Sequence, residues 1–358
     1  MQHIVVDGTQ IVVGVDTHKS EHIAVAVDGL GRRLGETAIP ATPAGYEDLR
    51  KWVLRMGDVA AFGIEGTGSY GSGLARFLRR AGHVIVEVSR PPRKGERRLS
   101  GKSDPVDAEH AARAVLSGKA TATPKLGEGV VESIRLVKIA RDGAVRSQSQ
   151  AIQTLKAVLV TAPDDLRQPL ERLSDFKLVA ACRELTGSCE GDARRTVQHV
   201  LRVLATRWLQ LHEEVKAHTR VLKDLTKRAA PNLVGAFGIG PDIAAEMLVT
   251  AGTNNDRIRS EAALAKLCGA CPIPASSGIV KRHRLNRGGN RQANAALYRT
   301  VVVRMRWHEP TITYVQRRTA EGLTKREIMR CLKRFLVREI YRLLPTVAAS
   351  PTTSAQAA

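Results

Sequence analysis

Short β-branched runs alternate with amphipathic stretches over the first ninety residues, and the order of these runs predicts an α/β unit. IVVGVDT (11–17) and HIAVAVDG (22–29) read as two strands joined by a tight polar turn, and RRLGETAI (32–39) as a third. Pro43 to Met56 then reads as a helix, VAAFGIE (59–65) as a buried strand, SGLARFLRRAG (72–82) as a helix ending at Gly82, and HVIVEVS (83–89) as a last strand. Three consecutive strands followed by helix–strand–helix–strand is the order of a ribonuclease H-like fold, although many α/β domains share parts of it. RPPRKGERRLSGKS (90–103) is basic and rich in Pro and Gly, and it reads as an exposed connection. SDPVDAEHAARAVLSG (103–118) reads as a helix with Ser103 as N-cap, Pro105 in its first turn, early acidic residues and Gly118 at its end.

The pattern then lengthens. Val197, Leu201, Leu204, Trp208, Leu211, Val215, His218, Leu222 and Leu225 alternate steps of four and three, the seam of a coiled coil with one polar interruption. A less regular apolar helix (130–160) precedes it. The two could form an antiparallel hairpin or a stalk between chains. NLVGAFGIGPDIAAEMLVTAG (232–252) reads as helix, G-I-G-P turn, helix: either a helix-hairpin-helix able to hold a phosphate at its turn, or an ordinary αα-turn. A loop-rich stretch (271–290), a basic helical end (293–344) and a disordered tail complete the chain. The expected organisation is therefore an α/β catalytic domain over 11–120, a helical coiled-coil region over 121–230, a mainly helical carboxy-terminal domain over 231–345, and the tail over 346–358.

Charge changes the picture more than composition does. Fifty-six Lys and Arg against 35 Asp and Glu give +21 over 358 residues, a balance suited to a polyanionic partner such as nucleic acid. Hydrophobic residues make up 43%, enough for real cores, and aromatics only 4%, so stacking on an aromatic platform is not the main expected mode. Five cysteines argue against a disulfide scaffold, and Cys268 with Cys271 lack a second pair at zinc spacing. The apolar runs are too short to span a membrane and no secretory signal is evident, so the expectation is a cytoplasmic protein.

Four carboxylates stand out. Asp16 and Glu65 close the first and fourth predicted strands, and Asp104 and Asp107 are neighbours on one helix face. In a ribonuclease H-like sheet those two strands lie side by side and a later helix covers their ends, so the four acids would converge. Such a cluster needs cations, and Mg2+ suits carboxylate oxygens while keeping waters for a phosphate. Two basic clusters are candidate nucleic-acid contacts: Arg90, Arg93, Lys94, Arg97, Arg98 and Lys102, and then Lys281, Arg282, Arg284, Arg287 and Arg291. His283 belongs to the second, either for phosphate contact or for proton transfer.

These motifs carry a resemblance. VGVDTHKSEHIAVAV, GIEGTGSYGSGLARFL and KSDPVDAEHAARA resemble the amino-terminal half of the DEDD transposases of insertion sequence family 110, bridge-RNA-guided recombinases. LVGAFGIGPDIAAEML, ALAKLCGACPIPASSG and NRGGNRQANAALY are similar to that family's carboxy-terminal transposase domain. The resemblance covers residues 11 to 344. It implies a RuvC-like domain whose acids match Asp16, Glu65, Asp104 and Asp107, and a serine nucleophile matching Ser277, with Ser276 as close competitor. It further implies cutting and rejoining of donor and target DNA through a phosphoserine, a structured noncoding guide (bridge) RNA, and a homo-oligomer, dimer or tetramer. A RuvC-like nuclease or junction resolvase that leaves Ser277 idle is the enzymatic rival. A non-catalytic nucleic-acid-binding protein is a further alternative. An actin-like ATPase or sugar kinase is disfavoured, because Thr17-His18-Lys19 follows Asp16 where a phosphate loop needs glycine.

Overall fold

The computed structural model describes residues 7, 9–89, 103–185, 192–275 and 283–345. The chain divides into two compact units between Gly127 and Glu128.

The first unit is built on a five-stranded sheet of order β3-β2-β1-β4-β5. Its strands are β1 (Gln10–Thr17), β2 (Glu21–Asp28), β3 (Arg33–Pro40), β4 (Asp58–Glu65) and β5 (Ile85–Val88). β2 runs antiparallel to β1 and β3, whereas β4 is parallel to β1 and β5 parallel to β4. The β-branched runs are near-continuously apolar because both faces of the sheet are covered. Val13, Val15, Phe62 and Ile64 face a core shared with Leu49 and Val53 of α1 (Pro43–Leu54) and Leu74 and Leu78 of α2 (Ser72–Arg80). Val12, Val25, Ala61 and Val86 face the other layer, formed by Ala108, Ala111, Ala112 and Val115 of α3 (Asp104–Leu116). The last predicted strand is shorter than 83–89, and His83 lies outside it, its ring edge-on to Phe62 at 5.1 Å.

The second unit is helical. Its long helices α4 (Gly129–Val160) and α7 (Asp192–Ala229) pair side by side as an antiparallel hairpin. Arg141 Nε donates to Thr219 Oγ1 at 2.9 Å, and seven residues further along α4 Gln148 meets His212, seven residues earlier along α7, at 3.1 Å. Every position of the four-three seam is buried or half-buried. Leu201 and Trp208 share a core with Ile152 and Leu155, and Leu222 shares another with Ile134. Of the two arrangements open for this region, the seam is thus occupied within the chain.

Two short helices, α5 (Asp164–Arg167) and α6 (Asp175–Arg183), lie in the connection and carry Leu166, Leu178, Val179 and Cys182 into the distal core. After α8 (Pro231–Gly235), helix α9 (Pro241–Ala251) is buried along most of its length. The G-I-G-P turn between them packs on α11 (Arg291–Trp307): Phe237 O accepts from Arg304 Nε at 2.9 Å. The first turn of α9 already carries an internal anion, since Asp242 is bridged by Lys138, Arg141 and Arg299 at 3.0 to 3.1 Å. A short α10 (Glu261–Leu267) leads to a two-stranded hairpin, β6 (Ile273–Pro274) and β7 (His283–Arg284). The basic helical end consists of three helices, α11, α12 (Glu309–Ala320) and α13 (Lys325–Leu343). Pro310 starts α12 because proline is tolerated in a first turn and nowhere deeper, and Gly322, at φ +85, terminates it. No helix among the described residues is long and apolar enough to cross a membrane.

Candidate metal centre at the strand ends

Two glycines seat the helix that carries half of the acids. Gly14 of β1 and Gly63 of β4 are directly paired in the parallel register. A Cβ on Gly14 would stand 1.9 Å from the carbonyl oxygen of Ala108, and one on Gly63 would stand 2.9 Å from that of Ala111. Helix α3 therefore rests backbone against backbone on the sheet, and its facing residues are alanines for the same reason.

Side chains alternate along a strand, so Asp16, two residues beyond Gly14, points to the α3 face, as does Glu65, two residues beyond Gly63. Along the helix, Asp104 lies one turn ahead of Ala108 and Asp107 one turn ahead of Ala111. Two strand residues advance about 6.6 Å and four helix residues about 6 Å, so the steps match. Asp104 is thereby carried toward Asp16, and Asp107 toward the end of the strand that bears Glu65.

The first pairing is direct. His18 Nε2 lies 3.1 Å from Asp16 Oδ2 and 3.6 Å from Asp104 Oδ2. One ligand atom from each of the three residues falls within 4.8 Å of the others. This set of two carboxylates and an imidazole fits a divalent cation. The Asp16 side chain is 13% exposed and that of Asp104 47%, so the group opens to solvent on the helix side. Glu65 is buried at 8%. Thr17 Oγ1 donates to the Glu65 carbonyl at 2.9 Å, fastening the end of β1 to the end of β4.

The glycines after Glu65 serve the turn more than a ligand. Gly66, at φ +64, accepts from the amides of Ser69 and Gly71, and a Cβ on Gly71 would meet Glu65 O at 2.8 Å. Of Gly66, Gly68, Gly71 and Gly73, only Gly68 has nothing within 4 Å of an added Cβ. Ser103 occupies the N-cap position of α3 in extended backbone, without a side-chain cap hydrogen bond.

The basic clusters divide differently. Arg90, Arg93, Lys94, Arg97, Arg98 and Lys102 lie outside the described residues, as do Ser276, Ser277, Lys281 and Arg282 and the tail over 346–358. Arg284, Arg287 and Arg291 are exposed and form no ion pair among the described residues. His283 is exposed in β7. Sequence reasoning passed over His18, whose signal was its spacing two residues after a strand-end aspartate. It also passed over the basic face of α13, where Arg330, Lys333, Arg334 and Arg338 recur at steps of three and four.

Residues 13–162 match a family model described as transposase, that of the DEDD transposases of IS110, and residues 231–316 match one described as transposase IS116/IS110/IS902 family. The chain is also similar to the insertion element IS110 uncharacterized 43.6 kDa protein of Streptomyces coelicolor, at 28% identity over 152 residues. That match covers 42% of this chain and 37% of the relative, little more than a third of the latter's length.

Proposed function

We propose that the chain is a transposase of the IS110 family that cuts and rejoins DNA, with Asp16, Glu65, Asp104 and Asp107 as its metal-binding acids. The observation that carries this reading is the paired-glycine seat, which aims the ends of β1, β4 and α3 at one place, together with the Asp16–His18–Asp104 group. We also read the first unit as a ribonuclease H-like, RuvC-like fold. Its strand order and directions, with helices on both faces, support that reading.

The acids and His18 would hold Mg2+, a hard cation that keeps waters for substrate phosphate. When bound, it supplies charge neutralisation at a phosphodiester and polarises its oxygens. The protein's own part is positional: the backbone contact of α3 on the sheet fixes Asp104 against Asp16, and Thr17 ties the two strand ends together. His18, at 3.1 and 3.6 Å from the two carboxylates, orients them.

In the same reading Ser277, or its neighbour Ser276, is the nucleophile. Its Oγ forms a bond to phosphorus as one ester oxygen of the DNA strand leaves, and the hydroxyl proton passes to a base. The number of P–O bonds is conserved, so attack by a hydroxyl of another strand reverses the step and joins ends without ATP. Support comes from the family match and from position in the chain: residues 275–282 connect the two strands of the β6–β7 hairpin. Duplex DNA, a structured guide RNA and further copies of the chain are the partners this reading names, and the charge of +21 suits the first two.

The test is denaturing gel analysis of the protein incubated with element-end DNA, Mg2+ and RNA transcribed from the element's noncoding flank. A protein–DNA adduct is expected. It should vanish in Ser277→Ala or in Ser276→Ala, and its formation should fall by several orders of magnitude in Asp104→Asn. Cleavage that persists without an adduct in both serine variants would establish the nuclease or resolvase reading instead. DNA processing untouched by Asp104→Asn would remove the acidic site altogether.

A further inference from the structure

The second unit holds a cavity of about 700 Å³ behind the β6–β7 hairpin, walled by β7, the loop after α10 and one face of α13. Five cations line it: Arg284, Arg330, Lys333, Arg334 and Arg338. Their neutralisation is incomplete. Arg284 and Arg330 make no ion pair among the described residues. Lys333 is held by neutral groups, donating to Asn294 Oδ1 at 2.8 Å and lying 5.4 Å from the centre of the Tyr298 ring. Arg334 and Arg338 share one carboxylate, Glu261, at 3.0 and 3.1 Å. Nη1 of Arg334 is shielded from solvent and has no hydrogen-bond acceptor among the described residues. The acid in the cavity wall, Glu327, is engaged by Thr324 in a capping box at the start of α13. Burial draws Lys333 below the ordinary lysine range, as expected for a half-buried amine with no carboxylate partner among the described residues.

A free inorganic anion would leave much of this space unused. The volume falls in the range of roughly 300–1,000 Å³ typical of sites for small organic molecules. The lining also includes apolar groups, among them the ring of Phe335, which is 46% exposed. The polar wall is pre-set: Asn294 donates to the carbonyls of Cys268 and Gly269, and Asn286 donates to Cys271 Sγ and accepts from the Gly288 amide. A duplex backbone is convex and meets cations on an open face. A recess that holds several guanidinium groups and an aromatic ring, with the Arg338 guanidinium 5.9 Å from the centre of the Phe335 ring, matches a phosphate and a base of the same nucleotide.

We propose that this cavity takes one unpaired nucleotide of a nucleic-acid strand, its phosphate on Arg284 and Arg330 and its base against Phe335. The inference rests on the reading that the chain acts on nucleic acid, but it does not depend on the acidic site. Lys333 and Arg334 supply the second tier of positive charge, and Asn294 sets the position of the Lys333 amine. DNA and RNA strands present the same phosphate and base, and the 2′-hydroxyl distinguishes them.

The test uses the full chain and fluorescence anisotropy with three labelled probes of equal length: oligo(dT), oligo(U) and a blunt DNA duplex. Arg330→Ala and Phe335→Leu should each weaken single-strand binding by about tenfold, with a much smaller effect on the duplex. For Arg330→Ala the dependence of log affinity on log salt should become shallower by about 0.7, one phosphate contact on a single strand. Arg330 is exposed and makes no hydrogen bond or ion pair among the described residues, so its variant keeps the fold. Phe335 packs edge-on to Tyr314 at 5.5 Å, so its variant is accompanied by a melting curve. Equal losses on oligo(dT) and oligo(U) support a pocket for the shared nucleotide, and a loss confined to one identifies the strand. Losses as large on the duplex, or unchanged binding and salt dependence in Arg330→Ala, overturn the proposal. Strand cleavage is not read in this assay, so the acidic-site reading and this one can fail separately.

Discussion

Adding one methyl group at Gly14 separates the seat of α3 from every other contribution to the site. Gly14 does not have a left-handed backbone, so alanine is conformationally acceptable there and, by restricting the unfolded chain, would stabilise by about 0.4–1 kcal/mol in open space. The space is not open. The new Cβ would lie 1.9 Å from Ala108 O and 2.4 Å from Ala112 N, both backbone atoms that no rotamer change can move. Ordinary contact begins near 3.4 Å, so the helix must retreat by about 1.5 Å. Overpacking of this kind costs about 1–3 kcal/mol, enough to outweigh the entropic gain. At Gly63 the first obstacle is the tip of Val115 at 2.7 Å and the backbone only comes at 2.9 Å, so Gly63→Ala should cost less.

The consequence for function exceeds the consequence for stability. Asp104 is one turn from Ala108, so a helix displaced by about 1.5 Å carries its carboxylate away from Asp16 and His18. Misplacement of a reacting constellation by about 1 Å costs on the order of a hundredfold in rate. Melting by calorimetry and adduct formation should be measured together, with Leu49→Ala as companion. Leu49 is fully buried under the opposite face of the sheet, and its truncation costs about 2–5 kcal/mol without touching α3. At a temperature where all variants are folded, Leu49→Ala should retain the wild-type rate while Gly14→Ala loses about two orders of magnitude. The reasoning is refuted if Gly14→Ala melts no lower than wild type, or if its rate follows its stability as that of Leu49→Ala does.

Three other outcomes are expected. Mg2+ at ten times its dissociation constant should raise the stability of the first unit by about 1.4 kcal/mol, read as a thermal shift. Asp104→Asn should abolish that shift while melting no lower than wild type in chelator, because a like charge near Asp16 has been removed. In the second unit, burial depresses the Lys138 ammonium, but its hydrogen bonds and attraction to Asp242 and Asp142 prevail and hold it above the ordinary lysine range. Lys138→Met would leave the buried Glu246 without its cation, while Asp242 keeps Arg141 and Arg299 and Asp142 keeps Arg141, and should cost roughly 3–5 kcal/mol; chemical denaturation with an unchanged midpoint would contradict this. Hydrogen bonds from Arg304 hold the Glu339 carboxyl below its ordinary 4.5, against the opposing effect of burial. A carboxyl lowered in the folded state stabilises above the unfolded value and loses that contribution as pH falls through the folded one. Melting temperature should therefore fall below pH 4.5, and Glu339→Gln should flatten that fall; an unchanged slope would count against the ion pair.

The strand-end acids were legible because β-branched runs stop where the sheet stops. Asp16 is the penultimate residue of β1, Glu65 the last of β4 and Asp104 the first of α3, each readable from the edge of an apolar or alanine-rich run. The seat that unites them was not legible. Gly14 and Gly63 are 49 positions apart, and only the parallel register of β1 and β4 makes them partners beneath one helix. The small helices α5 and α6 escaped notice for a related reason: Leu166, Leu178 and Cys182 have little periodicity of their own and become helical faces by packing on α4 and α7. The basic residues of α13 form a cavity wall only because the hairpin β6–β7 lies across them, a contact between segments about fifty residues apart.

The two kinds of site have opposite charge, and this has a consequence for how the protein meets its substrate. A cluster of carboxylates repels a phosphodiester, so the acidic group cannot by itself bring DNA to the chain. Attraction must come from the remaining surface, where a net charge of +21 acts over about a Debye length and weakens as salt rises. The acids act at contact distance, where salt screens little and a divalent cation sets the sign of the local potential. Salt and metal should therefore act on different steps. Raising monovalent salt should lower affinity for DNA while the rate of the bound complex holds. Withdrawing the divalent ion should lower that rate while affinity holds or falls slightly. A protein whose single-turnover rate on saturating DNA followed monovalent salt as steeply as its affinity does would not be using carboxylates seated on Gly14 and Gly63 to organise its chemistry.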